Sequence, residues 1–281
     1  MKSFFTITIL VGLLITFLFA ISAFLGRDLF LTLQKEFEQG IINNGQSKKP
    51  LLVRFAVLSD THSDSENTKK ALEQAKSLGV EYIVHTGDWT TVGTVRELNE
   101  QKRIFDQEGI KYYGIMGDHD RWQSGDKNFE QVLGKSFESY DRDGIHNVLL
   151  DASDIENGLY KEELDWLEAD LRIAGDKPIL IFMHLPIYHP TSDRTISNKA
   201  GSDAERDSAS ERFLSLLKGK NILGIFSGDH HLSSNYTEPT TGVRIFISGA
   251  VTRERNLQKP RFSLVEVYKA HTISVTDQII K

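Results

Sequence analysis

Cysteine is absent from the 281-residue chain. That excludes disulfides, thiolate metal sites and cysteine nucleophiles, and leaves the redox compartment open. A basic excess is also missing. The formal net charge is −6, whereas a protein that coats nucleic acid normally carries a basic surface. From Phe4 to Leu25, charge of either sign is missing. As a helix this run would reach about 33 Å, enough to cross a bilayer core. A cleaved signal peptide usually has a shorter apolar core, roughly 7–15 residues, followed by a small-x-small site. Ile21-Ser22-Ala23 is a poor one. The expectation is a single-pass, uncleaved membrane anchor over residues 1–26, a juxtamembrane linker over 27–50, and an extracytoplasmic globular domain over 51–281.

The globular part alternates short apolar runs with amphipathic stretches. Runs at 51–59, 82–86, 111–116, 147–150, 179–183 and 221–226 are rich in branched and aromatic residues and end at turn residues. Leu72, Ala75 and Leu78 mark one helix stripe between them. Leu164, Leu167 and Leu171 mark a second, and Phe213, Leu216 and Leu217 a third. After residue 242 strands follow without helices. This order predicts an α/β domain whose sheets gain antiparallel strands late in the chain. The Ser/Asp/Lys-rich stretch 191–211 has no apolar rhythm and reads as a long surface loop or lid.

Acids and imidazoles collect where these strands end. Asp60 and His62 follow the first, Gly87-Asp88 the second, and Asp118-His119-Asp120 the third. His184 follows the run at 179–183, and Asp229-His230-His231 the run at 221–226. Ligands of open α/β sheets bind at the carboxyl ends of strands. Each piece alone is weak, since Gly-Asp at a strand end is usually turn chemistry. Together they would cluster at buried strand ends and cost desolvation unless a cation offsets it. Carboxylate oxygen and imidazole nitrogen suit divalent ions such as Zn, Mn and Fe.

The ordered set D-x-H, G-D, G-D-H-D, H and G-D-H-H resembles the calcineurin-like metallophosphoesterase superfamily, on Asp60, His62, Gly87, Asp88, Gly117, His119, Asp120, His184, Gly228 and His231. The resemblance covers roughly residues 52–270. It implies a four-layer α/β-β/α sandwich, two divalent metal ions and phosphoester hydrolysis. By position, Asp60, His62 and His231 would hold the first metal, and Asp88 would bridge both. Asp118, His184 and Asp229 would hold the second. His119 would protonate the leaving oxygen, with Asp120 orienting it.

Two positions depart from the family pattern, which usually has asparagine at 118 and histidine at 229. Both replacements are aspartates at the second metal. They raise the carboxylate charge of the site from −2 to −4, which would cancel two divalent ions. The second site is therefore expected to favour Mn, Mg or Fe over Zn, and the added anion to keep His119 protonated. Alternatively one aspartate stays protonated, or swings away and yields its place to His230. A third alternative is an empty second site in a weakly active or non-catalytic phosphate-binding protein.

The expected reaction is two-metal hydrolysis by a bridging hydroxide, with no covalent intermediate. Arg121, beside the Asp118 turn, is a candidate cation for the substrate phosphate. The expected activity is that of a phosphatase or phosphodiesterase on a small-molecule phosphoester, and repulsion from the acidic site would suit singly charged diesters better than doubly charged monoesters. A nuclease of the same superfamily is a further alternative, opposed by the acidic balance.

Overall fold

Branched and aromatic residues dominate the short apolar runs, and their alternation sends side chains to both faces of each strand. The computed structural model describes residues 50–124, 126–197 and 204–281. The run from Phe4 to Leu25, and the anchor expected there, lie outside these residues. No helix among the described residues is long and apolar enough to cross a membrane.

Two sheets form the frame. The first contains β1 (Leu51–Leu58), β2 (Tyr82–His85), β3 (Lys111–Gly114), β10 (Arg261–Tyr268) and β11 (Thr272–Ile279), in the order β11-β10-β1-β2-β3. The second contains β4 (Glu138–Arg142), β5 (Ile145–Leu149), β6 (Ile179–Phe182), β7 (Ile222–Ser227), β8 (Ser234–Thr237) and β9 (Arg244–Ile247), in the order β4-β5-β6-β7-β9-β8. β1, β2 and β3 run parallel, as do β5, β6, β7 and β9. The antiparallel additions are β10 and β11 in one sheet and the edges β4 and β8 in the other.

Helices α1 (Ser65–Ser77), α2 (Val95–Glu108), α5 (Lys161–Ala174) and α6 (Ala204–Leu217) cover the outer faces, with two short helices, α3 (Asp118–Arg121) and α4 (Asp126–Val132), between β3 and β4. Their starts are fixed locally. Asp64 caps α1 by accepting from Asn67 N, and Thr94 with Glu97 forms a capping box on α2. Gly109 ends α2 in the left-handed region at φ 69°.

Three buried clusters define four layers. Phe55, Tyr82, Phe182, Phe226 and Phe246 pack between the two sheets. Ala56, Leu58 and Ile83 on the far face of the first sheet meet Leu72, Leu98 and Phe105 of α1 and α2. Ile181, Ile225 and Ile245 on the far face of the second meet Leu164, Leu167 and Phe213 of α5 and α6. Each of these leucine, isoleucine and phenylalanine side chains contributes about 1.5–3 kcal/mol of burial.

The loop expected over 191–211 ends earlier, because α6 begins at Ala204. Its first turns carry polar residues, so they lack an apolar stripe. Arg206 and Ser210 are nevertheless buried there.

Candidate metal centre

The strands end together, so the turns that follow them meet. Asp60 N donates to Gly87 O (3.1 Å), His62 N to Asp88 O (3.0 Å) and Gly228 N to His184 O (3.0 Å). Two glycines allow this approach. A Cβ at Gly117 would lie 2.1 Å from Asp88 N, and one at Gly228 would lie 1.8 Å from Ser59 Oγ. Asp60, His62, Asp88, Asp229 and His231 all adopt positive φ, between 43° and 67°. Non-glycine residues pay about 1–3 kcal/mol for such conformations, which persist where the surroundings fix them and cluster at functional sites.

Four donors converge first. Ligand atoms of Asp60, His62, Asp88 and His231 lie within 4.8 Å of one another. The Nε2 atoms of His62 and His231 are 3.0 Å apart. Asp88 Oδ2 is 3.3 Å from the former and Asp60 Oδ1 3.5 Å from the latter. Asp60 is fully buried and its Oδ2 has no hydrogen-bond partner among the described residues. Burial works against the Asp60 charge, but the His231 hydrogen bond and nearby imidazoles outweigh it and hold the carboxyl below the usual range. Two imidazoles and two carboxylates facing one point, one oxygen left unpartnered, fit a divalent cation.

Asp88, Asp118 and His184 form a second convergent group. His184 Nδ1 donates to Thr86 O (2.7 Å), which leaves Nε2 facing Asp118 Oδ1 at 3.2 Å and Asp88 Oδ1 at 3.4 Å. Asp229 is 3.8 Å from the same Nε2. Asp118 and Asp229 both point instead at a cation that carries no sequence signal, Arg194. Its Nε donates to both Asp229 oxygens (2.8 and 2.7 Å), and its Nη2 to both Asp118 oxygens (3.2 and 3.1 Å). Burial raises the Asp229 carboxyl above its ordinary value, and the Arg194 contact limits the rise.

His230 takes no place in either group. Its Nε2 lies 2.8 Å from Arg194 O, to which it donates, so it holds the loop that carries Arg194.

His119 sits beside the first group, its ring 4.5 Å from that of His62. Its Nδ1 donates to Thr91 O (2.7 Å), and Trp122 stacks on it at 4.2 Å. Nε2 is thereby directed to the site, where Arg255 Nη2 lies 3.3 Å away. Asp120 plays a different part from the one expected. Its carboxylate accepts from the amides of Gly117, Trp89 and Thr90 and from the Thr90 hydroxyl. It ties the Asp88 turn to the Asp118 turn, and Thr91 orients the His119 ring. Burial, then the nearby Asp88 charge, pushes the Asp120 carboxyl up to about 7.

Arg121 does not join the cluster. Its guanidinium faces Asp126 (2.9 Å), Asp151 (3.3 Å) and Asp154 (3.7 Å). Among the described residues, Arg194 and Arg255, on loops without a motif, bring cations to the site.

Residues 53–233 match the family model for calcineurin-like phosphoesterases. A probable glycerophosphodiester phosphodiesterase GpdQ of Arcobacter nitrofigilis is 30% identical over 115 residues, which cover 37% of this chain and 41% of the relative. A 3′,5′-cyclic-nucleotide phosphodiesterase of a Nostoc species is 24% identical over 204 residues, 71% of this chain and 76% of the relative. A dimetal phosphatase from Danio rerio superposes with a TM-score of 0.63 at 16% identity, covering 80% of this chain and 98% of that one. The Plasmodium protein GAP50, an anchor in the inner membrane complex, superposes with a TM-score of 0.60 at 16% identity over 82% and 85%. With well over half of its length matched by the family model and the motif residues gathered at one end of two facing sheets, the chain belongs to the calcineurin-like phosphoesterase family.

Proposed function

We propose that this chain is a metal-dependent hydrolase of small phosphodiesters. The observation that carries the reading is the convergence of Asp60, His62, Asp88 and His231, whose donor atoms share one small volume. Two relatives named as phosphodiesterases support the diester class. A divalent ion held there would polarise a phosphoryl oxygen and acidify a water molecule.

The chain's own groups supply the rest. His119 Nε2 faces the site and would protonate the leaving oxygen, a role the Thr91 carbonyl supports by fixing the ring. Arg255, 3.3 Å from that nitrogen, would hold a phosphoryl oxygen beside the proton donor. Asp120 keeps the two turns in register. The two-ion form implied by the resemblance needs a second ion at Asp88, Asp118 and His184, where Arg194 already engages Asp118. The apolar run Phe4–Leu25 would tether the domain to a membrane.

The test is hydrolysis of bis(p-nitrophenyl) phosphate and p-nitrophenyl phosphate by the full chain, stripped with a chelator and resupplied with Mn, Zn or Mg. Metal-dependent turnover that favours the diester is expected. No turnover of either ester with any ion would reject the reading.

A further inference from the structure

We infer that the guanidinium of Arg194 stands in for the second metal ion, so that the centre takes one divalent ion per chain. The inference rests on the metallohydrolase reading above and narrows it.

The contacts are those of a cation in a ligand cage. Nη2 lies 2.5 Å from Asp229 Oδ1 and 3.1 Å from Asp118 Oδ2. Nε bonds both Asp229 oxygens. All four carboxylate oxygens of the two aspartates are thus engaged by one planar group, the geometry that guanidinium offers and ammonium does not. The aspartate side chains are 8% and 1% exposed, so each needs a cation close by. A divalent ion bound to the same oxygens would sit within a few ångströms of the guanidinium in a poorly screened site, and like charges so placed repel strongly.

The replacements at 118 and 229 acquire a joint explanation. Asparagine and histidine are neutral metal ligands, and a histidine at 229 could not accept two N–H bonds from arginine. Aspartate at both positions makes a receptor for guanidinium. A chain that merely lost its second ion would have no reason to gain two buried anions that meet on one side chain.

The loop is built to deliver that side chain. Ile196 is buried, and Ile196 N donates to Pro186 O (2.9 Å). Arg206 of α6 donates to Thr195 O and Ile196 O, each at 2.5 Å. His230 holds the Arg194 carbonyl. Nη1 has no protein partner among the described residues, and the Arg194 side chain is 47% exposed. Nη1 is therefore available to a phosphoryl oxygen. A fixed charge of +1 in place of +2 suits a phosphodiester carrying one negative charge better than a monoester carrying two.

Mn(II) is the probe. The full chain, stripped with a chelator and held in mild detergent, is titrated with Mn(II). Bound metal is counted by elemental analysis and the signal recorded by electron paramagnetic resonance. The expected wild-type result is one equivalent with the signal of an isolated ion. Arg194→Ala is expected to gain a second equivalent and the spectrum of a spin-coupled pair, whereas Arg194→Lys stays at one. Two equivalents in the wild type would overturn the inference and leave the metallohydrolase reading intact. A folded Arg194→Ala protein that still binds one equivalent would overturn it as well. No bound metal in the wild type would overturn both. Should Arg194→Ala fail to fold, the wild-type count and spectrum decide alone.

Discussion

The Nε2 atoms of His62 and His231 face each other across 3.0 Å, each with a carboxylate oxygen within 3.5 Å. The two residues are 169 positions apart in sequence and follow strands of different sheets. Neutral imidazole nitrogens approach this closely when a proton or a cation joins them. A divalent cation between them is the proposed link. His231→Ala should then weaken metal affinity by more than the 10–100-fold typical of losing an outer-shell partner. Competition against a calibrated chelator measures this, and unchanged affinity would remove His231 from the ligand set.

His119 should behave as a proton donor. His119→Gln is expected to lower kcat by roughly 10²–10⁴-fold on diesters with alkoxide leaving groups. The loss should be much smaller with p-nitrophenolate, which departs without protonation. Equal losses on both substrates would point to a binding role. The amount of bound metal should not change.

Arg255 and Arg121 should separate. Arg255→Ala removes a charge-assisted contact beside His119 and is expected to raise KM roughly tenfold or more. Arg121 is committed to Asp126, Asp151 and Asp154, so Arg121→Ala should leave KM unchanged while lowering stability. The reverse pattern would restore Arg121 as the phosphate cation.

Asp120 is fully buried and satisfies three turn amides and a hydroxyl. Asp120→Ala strips those donors of their acceptor. It should destabilise the fold by about 3 kcal/mol, since each unsatisfied buried group costs about 1–3 kcal/mol. Urea denaturation with the ion absent measures this apart from metal binding.

His146, on β5 and outside the site, gives the domain a pH dependence. Its Nε2 lies 2.7 Å from Asp170 and its Nδ1 2.9 Å from Asp141. Burial lowers its pKa, but the two carboxylates outweigh burial and raise it above the ordinary 6.5. Because the folded-state value is the higher one, its contribution is fully present below 6.5 and disappears as pH rises through the folded value. His146→Gln should flatten that part of the stability–pH curve. A wild-type curve flat above 6.5 would contradict the assignment.

The metal-ligand candidates were legible because they obey a local rule. Each follows a short apolar run, and turn residues with an acid or imidazole mark where the run stops. The helices α1, α5 and α6 were legible from stripes such as Leu164, Leu167 and Leu171. The edge strands of the second sheet were not, since β4 (ESYDR) and β8 (SNYT) are polar and half exposed. Arg194 and Arg255 left no trace either. Arg194 reaches partners 35 and 76 positions away, and Arg255 reaches His119 across 136. Only packing of the two sheets creates those distances. The acidic pair at 118 and 229 was visible, but nothing near it in sequence pointed to Arg194 as the group it faces.

Crystals of the full chain soaked in Mn(II) and measured at the manganese absorption edge test the central assignment most directly. An anomalous peak is expected among Asp60, His62, Asp88 and His231, with ligand atoms roughly 2.0–2.3 Å from it. Density free of any peak between these four side chains, at full occupancy of the soak, would contradict it.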